Sequence, residues 1–497
     1  MLFRRTRRRE HRTRPCHPRT EPGYPLHSES FDNTRPYPMN NSLIHQRSTH
    51  QFSHAHYHEM PDGTIKQVNP FTGTAVWTVP GRGNKPISNV IPASAKKINL
   101  TKGPEAHCNF CPAYYLSTPP EKARMVEKNG KHVILKGVKV EDLNETDAEF
   151  RRIPNLFEIV TYDYWVRNYN YEMTQENLRH KTDYLSSANG IQHVIDIVNL
   201  KLKVSGLGDE EIRDIPLEQK LVMSNAFFGG GHELIIPKRH YKPDAQYDVE
   251  FCSSGELTPE EHFRYFLFTI EAIKDITRNN RYVRYVSVFQ NWLSNAGASF
   301  DHLHKQLVAI DEWGVAIELE LARYRTNPNY YNEMGANFAG YHNLVFAEND
   351  YAIAYVEIGR RYPTIAIYSK SEHAMPQEHT LDEIRGVSDL VHACHAAMGS
   401  QIPCNEEWYY SPIDAIENIP WHILIRWRTS NPAGFEGGTR IYVNPVSPEA
   451  LRDKIVPRLF ELKSQGRIET FPIAFECPCL PNSLRYVVGS KSWNPHS

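Results

Sequence analysis

The chain has few cysteines for its length, no long apolar run and almost no net charge. Eight cysteines among 497 residues are too sparse for a disulfide-stabilised secreted scaffold. No stretch reaches the roughly 18 uncharged apolar residues that a transmembrane helix needs. With 56 basic and 58 acidic side chains, nothing indicates a general affinity for nucleic acid. We therefore expect a soluble cytoplasmic protein of about two to three domains that binds neither membrane nor nucleic acid.

The first 59 residues differ in composition from the rest. They contain ten arginines and five acidic residues, a net charge of +5, together with eight histidines. Such a segment buries too little apolar surface to order itself, so we expect residues 1–59 to form a disordered basic extension. A transit peptide and a nucleic-acid-binding arm are alternatives, although Glu10 and the prolines disrupt an amphipathic helix. A later start of translation, at Met60, is a third alternative.

Two histidines one residue apart stand in the sequence His302-Leu303-His304-Lys305-Gln306. In an extended segment alternate side chains project to the same face, so His302, His304 and Gln306 form one row. A neutral imidazole is a nucleophile near neutral pH, and the small residues at 296–299 let a phosphate approach the backbone. The row indicates a phosphate-attacking site. Taken alone, it also fits a polar strand face or a metal-binding pair.

Two thiols two residues apart, those of Cys108 and Cys111, have the spacing that holds a single metal ion. Tetrahedral zinc needs two more ligands, and histidines far along the chain usually supply them. We favour His240 and His302, which predicts one zinc ion per chain. A redox pair is an alternative, but thioredoxin-like surroundings are missing, and reduced, unliganded cysteines are another. The second close pair, Cys477 and Cys479, is interpreted as structural.

Six segments in collinear order carry a family resemblance. They are residues 69–73 with 80–86, 108–112 with 118–121, 154–157, 231–240, 291–306, and 434–439 with 444–445. By these segments the chain resembles the galactose-1-phosphate uridylyltransferase family of the histidine-triad superfamily, as a divergent branch. The resemblance implies two tandem histidine-triad-like repeats, each a mainly antiparallel sheet with packed helices. Residues 60–312 would form the catalytic repeat with the zinc site, and residues 313–497 the second repeat.

The resemblance also implies a reaction. His304 would attack the α-phosphorus of a nucleotide sugar, expel a sugar 1-phosphate and carry the nucleotidyl group to an acceptor phosphate, as in galactose and other carbohydrate metabolism. Gln306 and Ser299 would hydrogen-bond the phosphate oxygens on which negative charge increases. Family members often complete the pocket across a two-fold interface, which implies a homodimer.

Further residues are assigned to the substrate by the resemblance. Arg82 and Lys85 would meet the substrate phosphates, and Asn155 and Phe157 would form part of the base and ribose pocket. Asn291 and Glu436 lie in matching segments and are assigned to substrate binding as well. Without the resemblance, the two basic residues read equally well as solvated surface charges, Phe157 as core and Ser299 as a turn residue.

The chain departs from the family pattern at three positions. Leu303 stands where the family usually has proline, and Lys305 stands where a small residue is usual. Strand alternation directs Lys305 away from its two neighbours, so it is not assigned to the substrate. In the second half Pro420-Trp421-His422 has lost the first histidine of a further metal pair. We therefore predict a single metal site and a structural role for His422.

Periodicity predicts an α+β fold. Apolar residues spaced three or four apart indicate helices at 174–189, 259–278, 381–398 and 448–462. Short β-branched or apolar runs indicate strands at 193–198, 284–289, 307–310, 344–347, 352–356 and 364–368. This alternation suits an open, largely antiparallel sheet.

Two other classes of function stay open at this stage. A zinc-stabilised nucleotide-binding protein without transfer activity is favoured by Leu303 and Lys305. A nucleotide-sugar phosphorylase or hydrolase would pass the nucleotidyl group to phosphate or water on the same scaffold.

Overall fold

The structure is a computed structural model that describes residues 56–81, 93–98 and 106–487. Residues 1–55, Arg82 and Lys85 lie outside the described residues. The strands of the described part are β1 (Tyr57–Glu59), β2 (Ile65–Val68), β3 (Ala75–Thr78), β4 (Ala123–Lys128), β5 (Lys131–Lys136), β6 (Ala148–Pro154), β7 (His232–Pro237), β8 (Tyr285–Trp292), β9 (Lys305–Ile310), β10 (Val345–Glu348), β11 (Ala352–Glu357), β12 (Thr364–Ser369), β13 (Cys404–Tyr409), β14 (His422–Trp427) and β15 (Ile441–Val443).

The α-helices follow the same chain order. They are α1 (Tyr162–Tyr169), α2 (Gln175–Tyr184), α3 (Ala188–Val204), α4 (Asp209–Asp214), α5 (Leu217–Met223), α6 (Asn225–Gly229), α7 (Pro259–Asn279), α8 (Val315–Thr326), α9 (Phe338–Tyr341), α10 (Leu381–Met398), α11 (Gly434–Thr439) and α12 (Pro448–Ser464). Within the described residues, no helix combines the length and the apolar character needed to cross a bilayer.

Eleven strands form one large sheet in the order β10-β11-β12-β14-β13-β8-β9-β7-β6-β4-β5. Every neighbouring pair in this sheet is antiparallel. A smaller sheet has the order β1-β2-β3-β15. The α+β class with a largely antiparallel sheet is therefore confirmed. Residues 60–312 and 313–497 both supply strands to the large sheet, and they meet where β8 pairs with β13.

Helices α7 and α10 pack on one face of the large sheet. Helix α7 begins at a capping box, in which Thr258 Oγ1 accepts from the Glu261 backbone N–H and Glu261 accepts from the Thr258 N–H. Its buried side joins the main core together with Leu307 of β9. Because neighbouring side chains of a strand alternate, Gln306 projects from the face opposite these helices. The polar row of the candidate site therefore lies on the face of the large sheet that α7 and α10 do not cover. We call this face the open face.

The strand predicted at 193–198 is wrong, because these residues lie inside α3. Ser187 caps that helix by accepting from the Gly190 N–H. The buried side chains then follow helical spacing, which a short apolar run does not distinguish from a strand, and they include His193, Val194, Ile197 and Val198. The helical pattern at 174–189 is divided between α2 and the start of α3.

The other predicted elements are found close to their expected places. The runs at 284–289, 307–310, 344–347, 352–356 and 364–368 become β8, β9, β10, β11 and β12. The patterns at 259–278, 381–398 and 448–462 become α7, α10 and α12. Residues 57–59, which the sequence assigned to the basic extension, instead form β1 and pair with β2.

Candidate active site and metal centre

Four predicted metal ligands converge at one point in the structure: Cys108, Cys111, His240 and His302. The two Sγ atoms are 3.8 Å apart, the two Nδ1 atoms 3.1 Å, and the sulfur–nitrogen separations run from 3.4 to 3.8 Å. A tetrahedral ion with Zn–S bonds of about 2.3 Å and Zn–N bonds of about 2.05 Å would set the S–S separation at about 3.8 Å, the N–N separation at about 3.4 Å and the S–N separations at about 3.6 Å. The donor set and its spacing therefore fit one tetrahedral metal ion.

Local hydrogen bonds hold these ligands in place. The Cys111 backbone N–H donates to Cys108 O at 2.9 Å, and the His107 N–H donates to Cys111 Sγ at 3.5 Å. His302 Nε2–H donates to Pro237 O at 2.7 Å, which leaves Nδ1 unprotonated as the metal-binding nitrogen. Four protein ligands fill a tetrahedral shell, so an ion held here would have a structural role.

His304 presents the opposite ring nitrogen. Its Nδ1–H donates to His302 O at 2.8 Å, so Nε2 carries the lone pair. Burial lowers the pKa of His304 to about 4, although the hydrogen bond to His302 O acts in the other direction. The side chain is 4% exposed. At neutral pH this residue is an uncharged imidazole with its nucleophilic nitrogen defined.

Phe110 connects the metal cluster to His304. It lies between the two cysteines in sequence, and its ring packs edge-on against both His302 and His304, with centroid separations of 6.2 and 5.5 Å. Phe300, which is 40% exposed, packs on Phe110 at 4.5 Å. The buried imidazole of His304 therefore lies beneath an aromatic pair whose outer ring, Phe300, is exposed.

Gln306 is oriented by a histidine that the sequence analysis did not assign. His232 Nδ1 accepts from the Ile159 N–H at 3.1 Å, so its Nε2 carries the proton and donates to Gln306 Oε1 at 3.1 Å. The carboxamide oxygen is thereby occupied, which leaves the Gln306 NH2 group as the end available to a phosphate. The sequence signal that could have found it is its place inside the matched segment 231–240.

Asn155 and Phe157, which the resemblance assigns to a base and ribose pocket, lie next to this histidine. The Asn155 backbone N–H donates to His232 O at 2.8 Å, and Asn155 Oδ1 accepts from the Phe157 N–H at 2.9 Å. The Phe157 side chain is 49% exposed. His232 therefore joins Gln306 and the loop at 155–159 in one hydrogen-bonded unit.

Three other assigned residues lie in different surroundings. Ser299 is exposed in the loop before β9. Asn291, on β8, accepts from Asn405 Nδ2 at 2.7 Å through its Oδ1. Glu436, in the short helix α11, accepts from the Ala433 N–H at 2.9 Å.

Lys305 points to the helix-covered face, as strand alternation predicts. Its ammonium is fully buried and forms an ion pair with Glu406 of β13. Burial raises the pKa of Glu406, but the charge of Lys305 and the hydrogen bond from His395 outweigh that effect and hold the pKa well below its usual range. Leu303 is buried in the main core. Neither departure from the family pattern obstructs the row of His304 and Gln306.

His422 repeats the local geometry of His304 in the second half. Its Nδ1–H donates to Pro420 O at 2.9 Å, and its buried ring stacks between Tyr368 and Tyr409 at 4.4 and 5.1 Å. Within the part of the chain that the structure describes, the one His, Cys and carboxylate cluster spaced for a metal ion is the four-ligand site above.

Comparison with known proteins places the chain in a family. A family model described as a domain of unknown function, DUF4921, matches residues 60–486. The chain belongs to the DUF4921 family.

This DUF4921 protein also has relatives with named activities. An ADP-glucose phosphorylase of Arabidopsis thaliana is 27% identical over 179 residues, which are 34% of this chain and 50% of that protein. The chain thus spans about half the length of that relative. A crystal structure of an ADP-glucose phosphorylase from Arabidopsis thaliana with bound ADP-glucose covers 79% of this chain and 98% of its own, with 17% identity and a TM-score of 0.50. A uridylyltransferase structure covers 48% of this chain and 77% of its own, with 16% identity and a TM-score of 0.40.

These comparisons confirm a divergent relationship to ADP-glucose phosphorylase, which agrees with the resemblance described in the sequence analysis. The ADP-glucose phosphorylase structure shows that the DUF4921 protein shares its fold.

Proposed function

We propose that this protein is a nucleotidyltransferase that moves a nucleoside monophosphate from a nucleotide sugar to an acceptor phosphate through His304. The observation that carries the proposal is the fixed tautomer of His304, whose Nδ1–H donates to His302 O and whose Nε2 is left as the nucleophile. The residue lies beside Gln306, whose amide is oriented by His232. A neutral nucleophile next to an oriented donor suits attack on phosphorus.

The reaction would proceed in two displacements. His304 Nε2 forms a bond to the α-phosphorus while the bond from that phosphorus to the sugar 1-phosphate oxygen breaks, and the electron pair leaves with the sugar 1-phosphate. An oxygen of the acceptor phosphate then attacks the same phosphorus, and the N–P bond breaks to restore neutral His304. The Gln306 NH2 group would donate to a non-bridging oxygen in both steps, with Ser299 assigned to the same task.

The substrate would lie on the open face of the large sheet. Asn155 and the exposed ring of Phe157 would contact the base and ribose, and Asn291 and Glu436 would contact the sugar side. Arg82 and Lys85 would meet the phosphates. A homodimer and a place in galactose metabolism follow from the family resemblance alone, and a cytoplasmic location follows from the composition; all three stay predictions.

We assign zinc to the four-ligand cluster. Two thiolates and two imidazoles are the ligands that zinc prefers in structural sites, and the separations fit its bond lengths. The ion would neutralise the thiolates and tie the 108–111 segment to His240 and to His302, two residues before the nucleophile.

The two halves of the large sheet support an origin as tandem repeats. The first half has the order β4-β6-β7-β9-β8, with α7 between β7 and β8 in the chain, and the hairpin strand β5 is added at its edge. The second half has the corresponding order β10-β11-β12-β14-β13, with α10 between β12 and β13. His304 comes directly before β9, and His422 is the first residue of the corresponding strand β14. Only the first repeat would keep the nucleophile and the metal ligands.

Phosphate is a second candidate acceptor, in place of a sugar 1-phosphate. The relative over 179 residues is named an ADP-glucose phosphorylase, which favours a phosphorylase reaction on the same His304 intermediate. Water as acceptor would make the protein a hydrolase, and a protein that forms no intermediate would be a nucleotide-binding protein.

The test uses UDP-glucose and ADP-glucose labelled at the α-phosphorus. After an alkaline quench, we expect an acid-labile, histidine-linked label on the wild-type protein, and addition of phosphate or a sugar 1-phosphate should remove it. The product then identifies the acceptor. His304→Gly should give no labelled protein, because the accepting nitrogen is gone.

The matched control is His132→Gly, which removes a histidine of β5 outside the site. This variant should be labelled like wild type, and both variants should keep the same zinc content. Labelling of His304→Gly at the wild-type level would refute the role of His304. Absence of label on wild type with every nucleotide sugar tried would favour the binding protein.

A further inference from the structure

A buried ion pair lies directly behind the candidate nucleophile. Lys305 stands between His304 and Gln306, and its ammonium is fully buried with Glu406 as its partner. Three aromatic rings surround the ammonium at 4.7 to 5.0 Å, namely Tyr265, Phe266 and Trp408. A lysine enclosed in this way has no part in binding substrate.

Glu406 accepts from donors on three elements, which are β9, β13 and α10. Its Oε1 also accepts from Trp408 Nε1 at 2.7 Å, and its Oε2 accepts from His395 Nε2 of α10 at 2.8 Å. His395 and Trp408 both belong to residues 313–497, and Lys305 belongs to residues 60–312. The ion pair therefore connects the nucleophile strand of the first half to a polar cluster of the second half.

The pair also spans three strands. Strand β8 lies between β9 and β13, with Phe289 opposite Gln306 and Gln290 opposite Glu406. Lys305 thus reaches over the buried Gln290 to its partner. Strand register decides which side chains face the open side, because a shift by one residue would exchange them. A buried pair contributes little stability compared with apolar residues of the same size, and its best-attested use is to specify register.

We propose that Lys305, Glu406 and His395 are positioning residues that fix β9 so that His304 and Gln306 face the substrate. This inference rests on the proposed nucleotidyl transfer. It assigns a function to Lys305, one of the three positions that depart from the family pattern.

The test compares two buried lysine–glutamate pairs. In the first variant Lys305→Met and Glu406→Gln are combined, so that neither charge is left without its partner. The control combines Lys370→Met with Glu348→Gln, a pair with a 2.6 Å contact in the second half. We measure thermal unfolding, zinc content, and kcat and KM for transfer from UDP-glucose or ADP-glucose.

We expect the Lys305/Glu406 variant to fold and to keep its zinc, while kcat falls roughly 10- to 100-fold because the nucleophile is displaced. KM should stay near the wild-type value, and the control pair should leave kcat unchanged. Lys305→Arg keeps the positive charge but changes its position, so it should also lower kcat. If the double variant does not fold, the kcat of Lys305→Arg is the measurement that tests the inference.

An unchanged kcat in the Lys305/Glu406 variant, or in Lys305→Arg if that is the variant that folds, would overturn the inference. An equal loss in the control pair would overturn it as well, because the effect would then reflect general destabilisation. A wild-type protein without transfer activity would instead refute the proposed function, and this inference with it.

Discussion

At the scale of single residues, His302 and His304 differ in tautomer, and the functions proposed for them differ accordingly. His302 donates from Nε2 to Pro237 O and offers Nδ1 to the metal cluster. His304 donates from Nδ1 to the carbonyl of His302 and offers Nε2. One backbone carbonyl fixes the tautomer of each ring: that of Pro237 for His302, and that of His302 for His304. The tautomer decides which nitrogen is left for the proposed metal ion or for the proposed attack on phosphorus. The sequence predicted the pair, but only the carbonyl positions assign the nitrogens.

His232 leads to a prediction at this scale. Replacing it in His232→Phe removes the donor that holds Gln306 Oε1, so the carboxamide is free to rotate. We expect kcat for nucleotidyl transfer to fall roughly 10- to 100-fold, as for other residues that orient a functional group. The measurement is steady-state transfer from the nucleotide sugar that labels wild type.

A double-mutant cycle provides the control for His232. Gln306→Leu should lower kcat by itself, and His232→Phe added to it should cause little further loss, because His232 acts through Gln306. If the fold-loss of kcat in the double variant equals the product of the fold-losses in the two single variants, the two residues act independently and the coupling is contradicted.

At the scale of elements, the sequence predicted long helices well and short apolar runs poorly. Helix α10 was found at its predicted bounds because its apolar spacing follows a Thr380 capping box. Residues 193–198 were assigned to a strand because six residues fit both periods. His232 was missed for a related reason: a histidine on a buried strand has no sequence pattern that distinguishes a positioning role from a core role.

The metal cluster leads to a prediction about its segments. Cys108→Ser should abolish the binding of one zinc ion per chain and lower the free energy of unfolding by at least ~3 kcal/mol, since the ion joins distant parts of the chain. Metal analysis and thermal unfolding measure these effects.

The matched control is Cys394→Ser, a buried cysteine of α10 outside the cluster. It should keep the zinc and lose only about 1–3 kcal/mol for a buried hydroxyl. Full zinc content in Cys108→Ser would remove Cys108 from the ligand set.

At the scale of the whole molecule, the large sheet is continuous where the sequence suggested a boundary. Composition and motif order placed the division near residue 312, but they carry no information about how two halves pair. In the structure β8 and β13 form adjacent central strands, with Gln290 opposite Glu406. The long-range contacts across this junction depend on side chains that are more than a hundred residues apart in the chain, such as Lys305 and Glu406.

This continuity predicts that residues 60–312 do not fold alone. Without residues 313–497, β8 keeps β9 as a neighbour but loses β13, and it becomes an unprotected apolar edge. Lys305 then keeps a buried charge with no counterion. We expect the isolated segment to aggregate or to unfold without a cooperative transition. Co-expression with residues 313–497 should restore a cooperative unfolding transition. Calorimetry of the two preparations measures this. A cooperative transition of the isolated segment, with one zinc ion bound, would show that the first half is an independent domain and that the junction only adds to a fold already complete.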